Sequence, residues 1–119
     1  MTFAIVAGYC FEYKAVADEI KGLEGEVNSK YSDKAIYANF KRLLGEYNWR
    51  GNENLSEMQK ANTFALKVGC ETRALKVDVY PYRDGSKARY SFGAGELKKC
   101  VTEEDVKNAH IQIAKIIND

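Results

Sequence analysis

Apolar and polar positions in the first quarter of the chain predict a strand followed by a helix. Residues 2–7 form a short apolar run that is partly β-branched, as in a buried strand. After Gly8, apolar residues recur at the spacing of one helix face: Tyr9, Tyr13, Val16, Ile20 and Leu23. Gly22 and Gly25 are expected to end this helix.

A second helix is predicted to begin after Ser32. Serine is a favourable N-cap, and the carboxylate of Asp33 suits the positive end of the helix dipole. The apolar stripe of this helix comprises Ile36, Phe40, Leu43, Leu44 and Tyr47. Residues 48–54 are polar and show no period, which predicts a loop.

The hydrophobic period then changes to two, which predicts strands over residues 64–70 and 75–80. A helix over residues 56–66 is the alternative for the first of them, because Ser56 and Gln59 have the spacing of a capping box.

Asp84 and Gly85 predict the turn of a β-hairpin. Pairing outward from this turn produces two polar cross-strand pairs, Tyr82 with Lys87 and Tyr80 with Arg89. The apolar face of the hairpin is then formed by Val77, Val79, Tyr90 and Phe92. Pro81 lacks an amide donor, so its strand is expected to be an edge or to bulge at that position.

A last helix is expected after Thr102, its N-cap, with a short strand or bridge over residues 97–101 before it. Its first turn carries the acids Glu103, Glu104 and Asp105, which the helix dipole favours. Its apolar face comprises Val106, Ala109, His110, Ile113, Ile116 and Ile117. The predicted order is β-α-α-β-β-β-α within a single domain, residues 1–119. This order indicates an α+β fold with a mostly antiparallel sheet and helices packed on one face.

Charge is unevenly distributed although the chain carries a net charge of only +1. Residues 60–99 hold nine Lys/Arg and four Asp/Glu, a net charge of +5, whereas the segments before and after each have a net charge of −2. The predicted hairpin region is therefore basic and its flanks are acidic.

The polar face of the hairpin combines this positive charge with aromatic rings, as nucleic-acid-binding surfaces do. Its candidate binding residues are Lys76, Tyr80, Tyr82, Arg83, Lys87 and Arg89. The alternative interpretation is a solvated face that cross-strand Tyr–Arg pairs stabilise.

Two further candidate surfaces lie outside the hairpin. Lys34, Tyr37 and Lys41 are spaced to share one side of the second helix, where the alternative is an ordinary solvated face. Trp49 and Arg50 are residue types common in interface hot spots, although a tryptophan folded over the core is an equal alternative.

From Asp33 onward, the predicted order α-β-β-β-α resembles that of the double-stranded RNA-binding domain. In that family a Lys-Lys pair in a glycine-containing loop before the last helix grips phosphate, and this chain has Gly93, Gly95, Lys98 and Lys99 there. The chain departs from the family where residues 100–102 intervene and where three acids open the helix.

Enzyme motifs are sparse. Asp78 followed by Glu96-Leu97-Lys98 resembles the metal-binding residues of PD-(D/E)xK nucleases, but Glu-x-Lys triplets of this kind recur elsewhere in the chain. There is no phosphate-binding glycine motif and no nucleophile motif. His110 lies on an apolar helix face, where a hydrogen-bonded core histidine is expected rather than a general base. The sequence indicates no cofactor and no metal site.

The three cysteines, Cys10, Cys70 and Cys100, show neither a disulfide framework nor zinc-ligand spacing. They are expected to be free thiols in a reducing compartment. With no signal peptide or membrane-spanning run evident, the predicted location is the cytoplasm of the producing cell or of a host.

These observations predict a non-catalytic binding protein with an anionic partner, either nucleic acid or a nucleotide-like ligand, held by the hairpin. The alternative is a small inhibitor or adaptor, of the sort that phages and mobile elements encode, acting through protein–protein binding. A metal-dependent nuclease is the third hypothesis. No membrane partner is expected.

Overall fold

The computed structural model describes residues 19–47 and 62–119, which form one five-stranded sheet and two helices. The strands are β1 (Glu19–Lys21), β2 (Glu24–Ser29), β3 (Thr63–Val68), β4 (Glu71–Tyr82) and β5 (Gly85–Ser91). The helices are α1 (Asp33–Leu43) and α2 (Glu103–Asn118). Every neighbouring pair in the order β1-β2-β5-β4-β3 is antiparallel.

Both helices pack on one face of this sheet, as the sequence predicts. The buried core joins side chains from the two helices to the inward-facing residues of the strands, including Ile36, Phe40, Val77, Tyr90, Phe92, Ile113 and Ile117. Val79 and Leu44 are partly buried beside it. The α+β class with an antiparallel sheet is therefore confirmed.

The hairpin of β1 and β2 replaces the end of the first predicted helix, so that prediction is wrong for residues 19–25. Gly22 adopts a left-handed φ of 61° in the turn between the strands. Gly25 pairs with Tyr90 on β5, and a Cβ atom there would lie 2.5 Å from the Tyr90 hydroxyl. The glycines thus serve a turn and a close cross-strand contact, not a helix end. Residues 2–16 of the predicted strand and helix lie outside the described residues.

The hairpin of β4 and β5 turns one residue earlier than predicted, at Arg83 and Asp84. The observed pairs are Asp78 with Arg89, Tyr80 with Lys87 and Tyr82 with Gly85, so the predicted partners of Tyr80 and Tyr82 are wrong. Gly85 is the first residue of β5, and only glycine fits there because a Cβ atom would lie 2.0 Å from the carbonyl oxygen of Ser29. Each partner moves by two positions, so every side chain keeps its predicted face.

The remaining helix and strand predictions are largely confirmed. Ser32 caps α1 by accepting a hydrogen bond from the Ala35 amide at 3.2 Å, and Thr102 forms a capping box with Asp105 on α2. Within residues 92–102 the chain forms a loop without the expected short strand. Leu43, expected on the apolar stripe, is 50% exposed at the last residue of α1.

The loop before α2 is held by a buried guanidinium and by a disulfide. Arg73 is 5% exposed, and it donates to the carbonyl oxygens of Phe92 (2.6 Å), Ala94 (2.9 Å) and Gly95 (2.9 Å). Cys70 and Cys100 form a disulfide with Cα atoms 6.1 Å apart. The expectation of free thiols is therefore wrong for this pair, because the β3–β4 turn, which holds Cys70, lies beside the loop that holds Cys100, 30 residues later. Cys10 lies outside the described residues.

His110 is a satisfied core residue, as predicted. It is 1% exposed, and its Nδ1 lies 2.6 Å from the Tyr90 hydroxyl while its Nε2 lies 2.8 Å from the Gly22 carbonyl oxygen. The neutral ring with its proton on Nε2 donates to Gly22 and accepts from Tyr90. His110 therefore ties α2 to the β1–β2 turn.

Neither helix in the described residues is long and apolar enough to cross a membrane.

We expect the Cys70–Cys100 disulfide to stabilise the fold by about 3–4 kcal/mol, because it closes a loop of 30 residues in the unfolded chain. The free energy of unfolding would be measured by denaturant titration with and without reductant. Cys10→Ser is the control and should retain the full difference. Three reactive thiols in the native, unreduced protein would contradict this pairing.

Acid should weaken the fold through His110. Burial lowers the pKa of His110 below its ordinary value of 6.5, against a smaller opposite effect from the hydrogen bond to Gly22. The neutral ring therefore contributes stability above pH 6.5, and this stability is lost as the pH falls towards the folded-state pKa. Between about pH 7.5 and about pH 5.5, the wild type should lose more unfolding free energy than His110→Gln. Equal losses would contradict the prediction.

Candidate anion-binding surface

The face of the sheet on which neither described helix packs, here called the outer face, carries most of the predicted hairpin residues. Strand alternation places them opposite the core, as the side chains of Lys76, Tyr80 and Tyr82 on β4 and of Lys87 and Arg89 on β5. Lys76, Tyr80 and Arg89 are exposed, whereas Tyr82 and Lys87 are half-buried. Arg83 is exposed in the turn between the two strands.

The β1–β2 hairpin adds acidic side chains to this face. Glu26 lies across from Arg89, Glu24 across from Ser91, and Glu19 across from Glu26. Sequence reasoning missed these carboxylates because it assigned this segment to a helix end. The signal that could have revealed them is the alternation of polar and small or apolar residues over 24–29.

Glu26 neutralises part of the predicted basic surface. Its Oε1 lies 3.0 Å from Arg89 Nε and 4.0 Å from Lys87 Nζ. The hydrogen bond with Glu26 and its negative charge raise the pKa of Arg89. Arg89 is 64% exposed, so the pair adds little stability, but it occupies a cation that a ligand would need.

Charge is consequently separated along the strands of the outer face. The end nearest the β4–β5 turn, called the hairpin end, carries the cations Lys30, Arg83 and Lys87, the single acid Asp84, and the rings of Tyr80 and Tyr82. The far end is a groove of about 510 Å³. Its charged residues are Glu19, Lys21, Glu24, Glu26, Lys76, Asp78 and Arg89. Acids outnumber bases in this groove, so the hairpin end is the more favourable position for an anion.

Tyr82 is surrounded by cations at the hairpin end. Lys87 Nζ lies 4.3 Å and Arg83 Cζ 5.1 Å from the centre of its ring, both within cation–π distance. The ring thus positions two positive charges and is less available for stacking than the sequence predicts. Tyr80, 37% exposed, keeps the accessible ring on this surface.

The second predicted patch does not join the outer face. Lys34 and Lys41 are exposed on α1, which packs on the opposite face of the sheet. Tyr37 is a structural residue, because its hydroxyl accepts from the Val79 amide at 2.8 Å and donates to the Val77 carbonyl oxygen. Burial raises the pKa of Tyr37. Trp49 and Arg50 lie outside the described residues.

The direction of the backbone amides of β4 explains why this strand accommodates Pro81. The amides of Val77 and Val79 point away from β5, towards Asn62 and Tyr37 respectively. Alternation puts the nitrogen of Pro81 on this same side. Among the described strands, proline therefore occupies an edge position where its missing amide breaks no pairing with β5, as the sequence predicts.

The start of α2, where the resemblance to the double-stranded RNA-binding domain implies a phosphate contact, is acidic in the structure. The Asp105 carboxylate accepts from the Thr102 amide at 2.9 Å, and Glu103 and Glu104 add negative charge in the same turn. The Lys98 amide donates to the Glu71 carboxylate at 3.1 Å, whereas Lys98 and Lys99 themselves are exposed.

Asp78 and Glu96, the carboxylates of the nuclease hypothesis, lie in β4 and in the loop before α2 respectively. In the described part of the chain, no group of three or more His, Cys, Asp or Glu side chains is placed to hold a metal ion. Asp78 instead faces Arg89 across the hairpin, and the Glu96 carbonyl oxygen is 3.4 Å from Arg73 Nη1.

Comparison with known proteins finds no matching family model, no similar curated protein and no similar solved structure.

Replacing Glu26 should make the outer face bind polyanions more strongly. Glu26→Gln removes the carboxylate that pairs with Arg89 and Lys87, so both cations become available. We expect the variant to elute from a heparin column at higher salt than the wild type. Glu104→Gln, with the same change in net charge on α2, is the control and should shift elution less. Equal shifts would show that net charge alone governs retention.

Proposed function

We propose that the protein is a non-catalytic binding protein whose hairpin end engages an anionic partner, with nucleic acid as the first candidate. The observation that carries the proposal is the arrangement of Arg83 and Lys87 around Tyr82, beside the exposed ring of Tyr80. Lysine and arginine attract phosphates, and a flat ring offers a surface for a base.

The arrangement favours single strands over duplexes. Stacking on an aromatic side chain requires an unpaired base and contributes about 1–3 kcal/mol per base. Tyr80 projects from a paired β-strand, so its position relative to Lys87, its cross-strand neighbour, is constrained by the sheet. A duplex offers no unpaired base to the ring of Tyr80, and it would also meet the carboxylates of the far end.

A small inhibitor or adaptor that binds another protein is the second candidate. The far end favours it, because alternating charges such as Glu26 and Arg89 suit a partner of complementary charge pattern. Such an interface would depend less on salt than phosphate contacts do.

Two observations bear on the cellular location, which we propose to be the cytoplasm. The sequence favours it, whereas the Cys70–Cys100 disulfide is typical of an oxidising compartment. Both cysteines are exposed, so cellular reductants can reach the bond. To test the proposal, thiols would be alkylated rapidly as the cells are lysed, and the fraction of Cys70 and Cys100 that is reduced would be measured. A fully oxidised pair would contradict a cytoplasmic location.

Binding of labelled single-stranded and duplex DNA and RNA would test the proposed function. We expect single strands to bind at about 50 mM salt and to weaken steeply by about 200 mM. Lys87→Gln should weaken binding. It should also reduce the slope of the logarithm of the binding constant against the logarithm of salt concentration, by about the amount expected for one phosphate contact. Tyr80→Ala should weaken binding without changing the slope, because stacking releases no counterion.

Two matched variants serve as controls. Lys115→Gln removes an exposed cation from α2, on the other side of the sheet, and should leave binding nearly unchanged. Arg89→Gln should have a smaller effect than Lys87→Gln, because Glu26 already pairs with Arg89 at 3.0 Å. If none of the four nucleic acids binds at the lower salt, the nucleic-acid proposal fails.

A further inference from the structure

Arg83 occupies a backbone position that suits glycine. Its φ is 54°, and it is the only non-glycine residue with positive φ in residues 19–47 and 62–119. The left-handed region is costly for a side chain with a Cβ atom, and such strain tends to persist where the side chain has a function. A glycine would make the same turn without strain.

The turn that holds Arg83 forms one wall of a cleft of about 570 Å³. Opposite the turn lie Asn28 and Ser29, at the end of β2, and Lys30, which follows them. The two walls are in close contact, because a Cβ atom at Gly85 would lie 2.0 Å from the Ser29 carbonyl oxygen. The walls of the cleft are therefore positioned by the paired strands β2, β4 and β5.

The two serine hydroxyl groups of the cleft are already engaged. Ser29 Oγ donates to the Ile117 carbonyl oxygen at 3.1 Å, and Ser86 Oγ donates to the Tyr31 carbonyl oxygen at 2.7 Å. Recognition of a ligand in the cleft then depends chiefly on its charged side chains.

Two cations line the cleft, Lys30 and Arg83. Among the described residues, no carboxylate oxygen lies within 4.0 Å of the charged groups of Lys30 or Arg83. Each is held near an aromatic ring: Lys30 Nζ is 5.4 Å from the centre of Tyr31, and Arg83 Cζ is 5.1 Å from the centre of Tyr82. Asp84 is the one acidic residue among those that line the cleft.

We infer that this cleft binds a phosphate group through Lys30 and Arg83, and that the strained position of Arg83 is retained for this contact. A guanidinium can donate two parallel hydrogen bonds to phosphate oxygens, and an ammonium adds a second charge. The inference rests on the proposed function, since it names the group of the anionic partner that the hairpin end holds.

Titration of the ¹⁵N-labelled protein with inorganic phosphate, at constant ionic strength with chloride, tests the inference. We expect saturable shifts at the Arg83 Nε–H and the Gly85 amide, with a dissociation constant on the order of 1 mM. Arg83→Gly and Lys30→Gln should each weaken this binding about tenfold, corresponding to one charged contact. Lys115→Gln should not change it.

The glycine variant also tests the role of the strain. Because glycine suits the turn, Arg83→Gly should fold and melt at or above the wild-type temperature while losing phosphate affinity. A lower melting temperature would overturn the inference that Arg83 is retained for binding, since it would show that arginine stabilises the turn.

Comparing the affinity of one oligonucleotide with and without a 5′-phosphate distinguishes a terminal phosphate from a backbone phosphate as the bound group. Tighter binding of the phosphorylated strand supports a terminal phosphate, and equal binding that still depends on Arg83 supports a backbone phosphate. Absence of saturable shifts with inorganic phosphate, or equal affinity in Arg83→Gly, would overturn the inference. Oligonucleotide binding that persisted in that case would leave the proposed function standing.

Discussion

The pairing of β2 with β5 is the contact on which the surface of this protein depends. Six residues of β2 pair in sequence with β5, from Glu24 opposite Ser91 to Ser29 opposite Ser86. This register places Glu26 beside Arg89, packs Gly25 against Tyr90 and seats Gly85 against Ser29. A shift by one residue would exchange the two faces of β2 and turn Val27, now in the core, towards the outer face.

The same pairing connects the core to the surface. Gly25 leaves room for the Tyr90 ring, whose hydroxyl contacts His110, and His110 in turn contacts the Gly22 carbonyl oxygen. The β1–β2 hairpin is thereby held to α2 by buried polar groups that are all satisfied. No buried side-chain nitrogen or oxygen in the described residues lacks a hydrogen-bond partner. Buried polar groups of this kind are costly to disturb, which helps keep the β2 register in place.

The two ends of the sheet differ in how they are built. At the end near α2's first turn, Arg73 and the disulfide hold the loop, and every donor group of the Arg73 guanidinium faces a protein acceptor. At the hairpin end, Arg83 and Lys30 have aromatic neighbours, and no acid of residues 19–47 and 62–119 lies within ion-pair distance of them. Arginine thus serves the fold at one end, whereas at the other end Arg83 is exposed in the turn.

Local patterns in the sequence determined the elements whose signals are short-range. The caps Ser32 and Thr102, the apolar face of α2 and the alternation of β4 and β5 depend on neighbouring residues, and the structure confirms them. The candidate site was predicted only in part, since its residues were placed on the correct face of the hairpin while their partners were not identified. Tertiary structure decided the rest: the turn at Arg83, the strand at residues 24–29, the Cys70–Cys100 pair and the acids beside Arg89. Each of these arises from contacts between segments distant in sequence, whose free energies exceed the weak local preferences on which a sequence pattern reports.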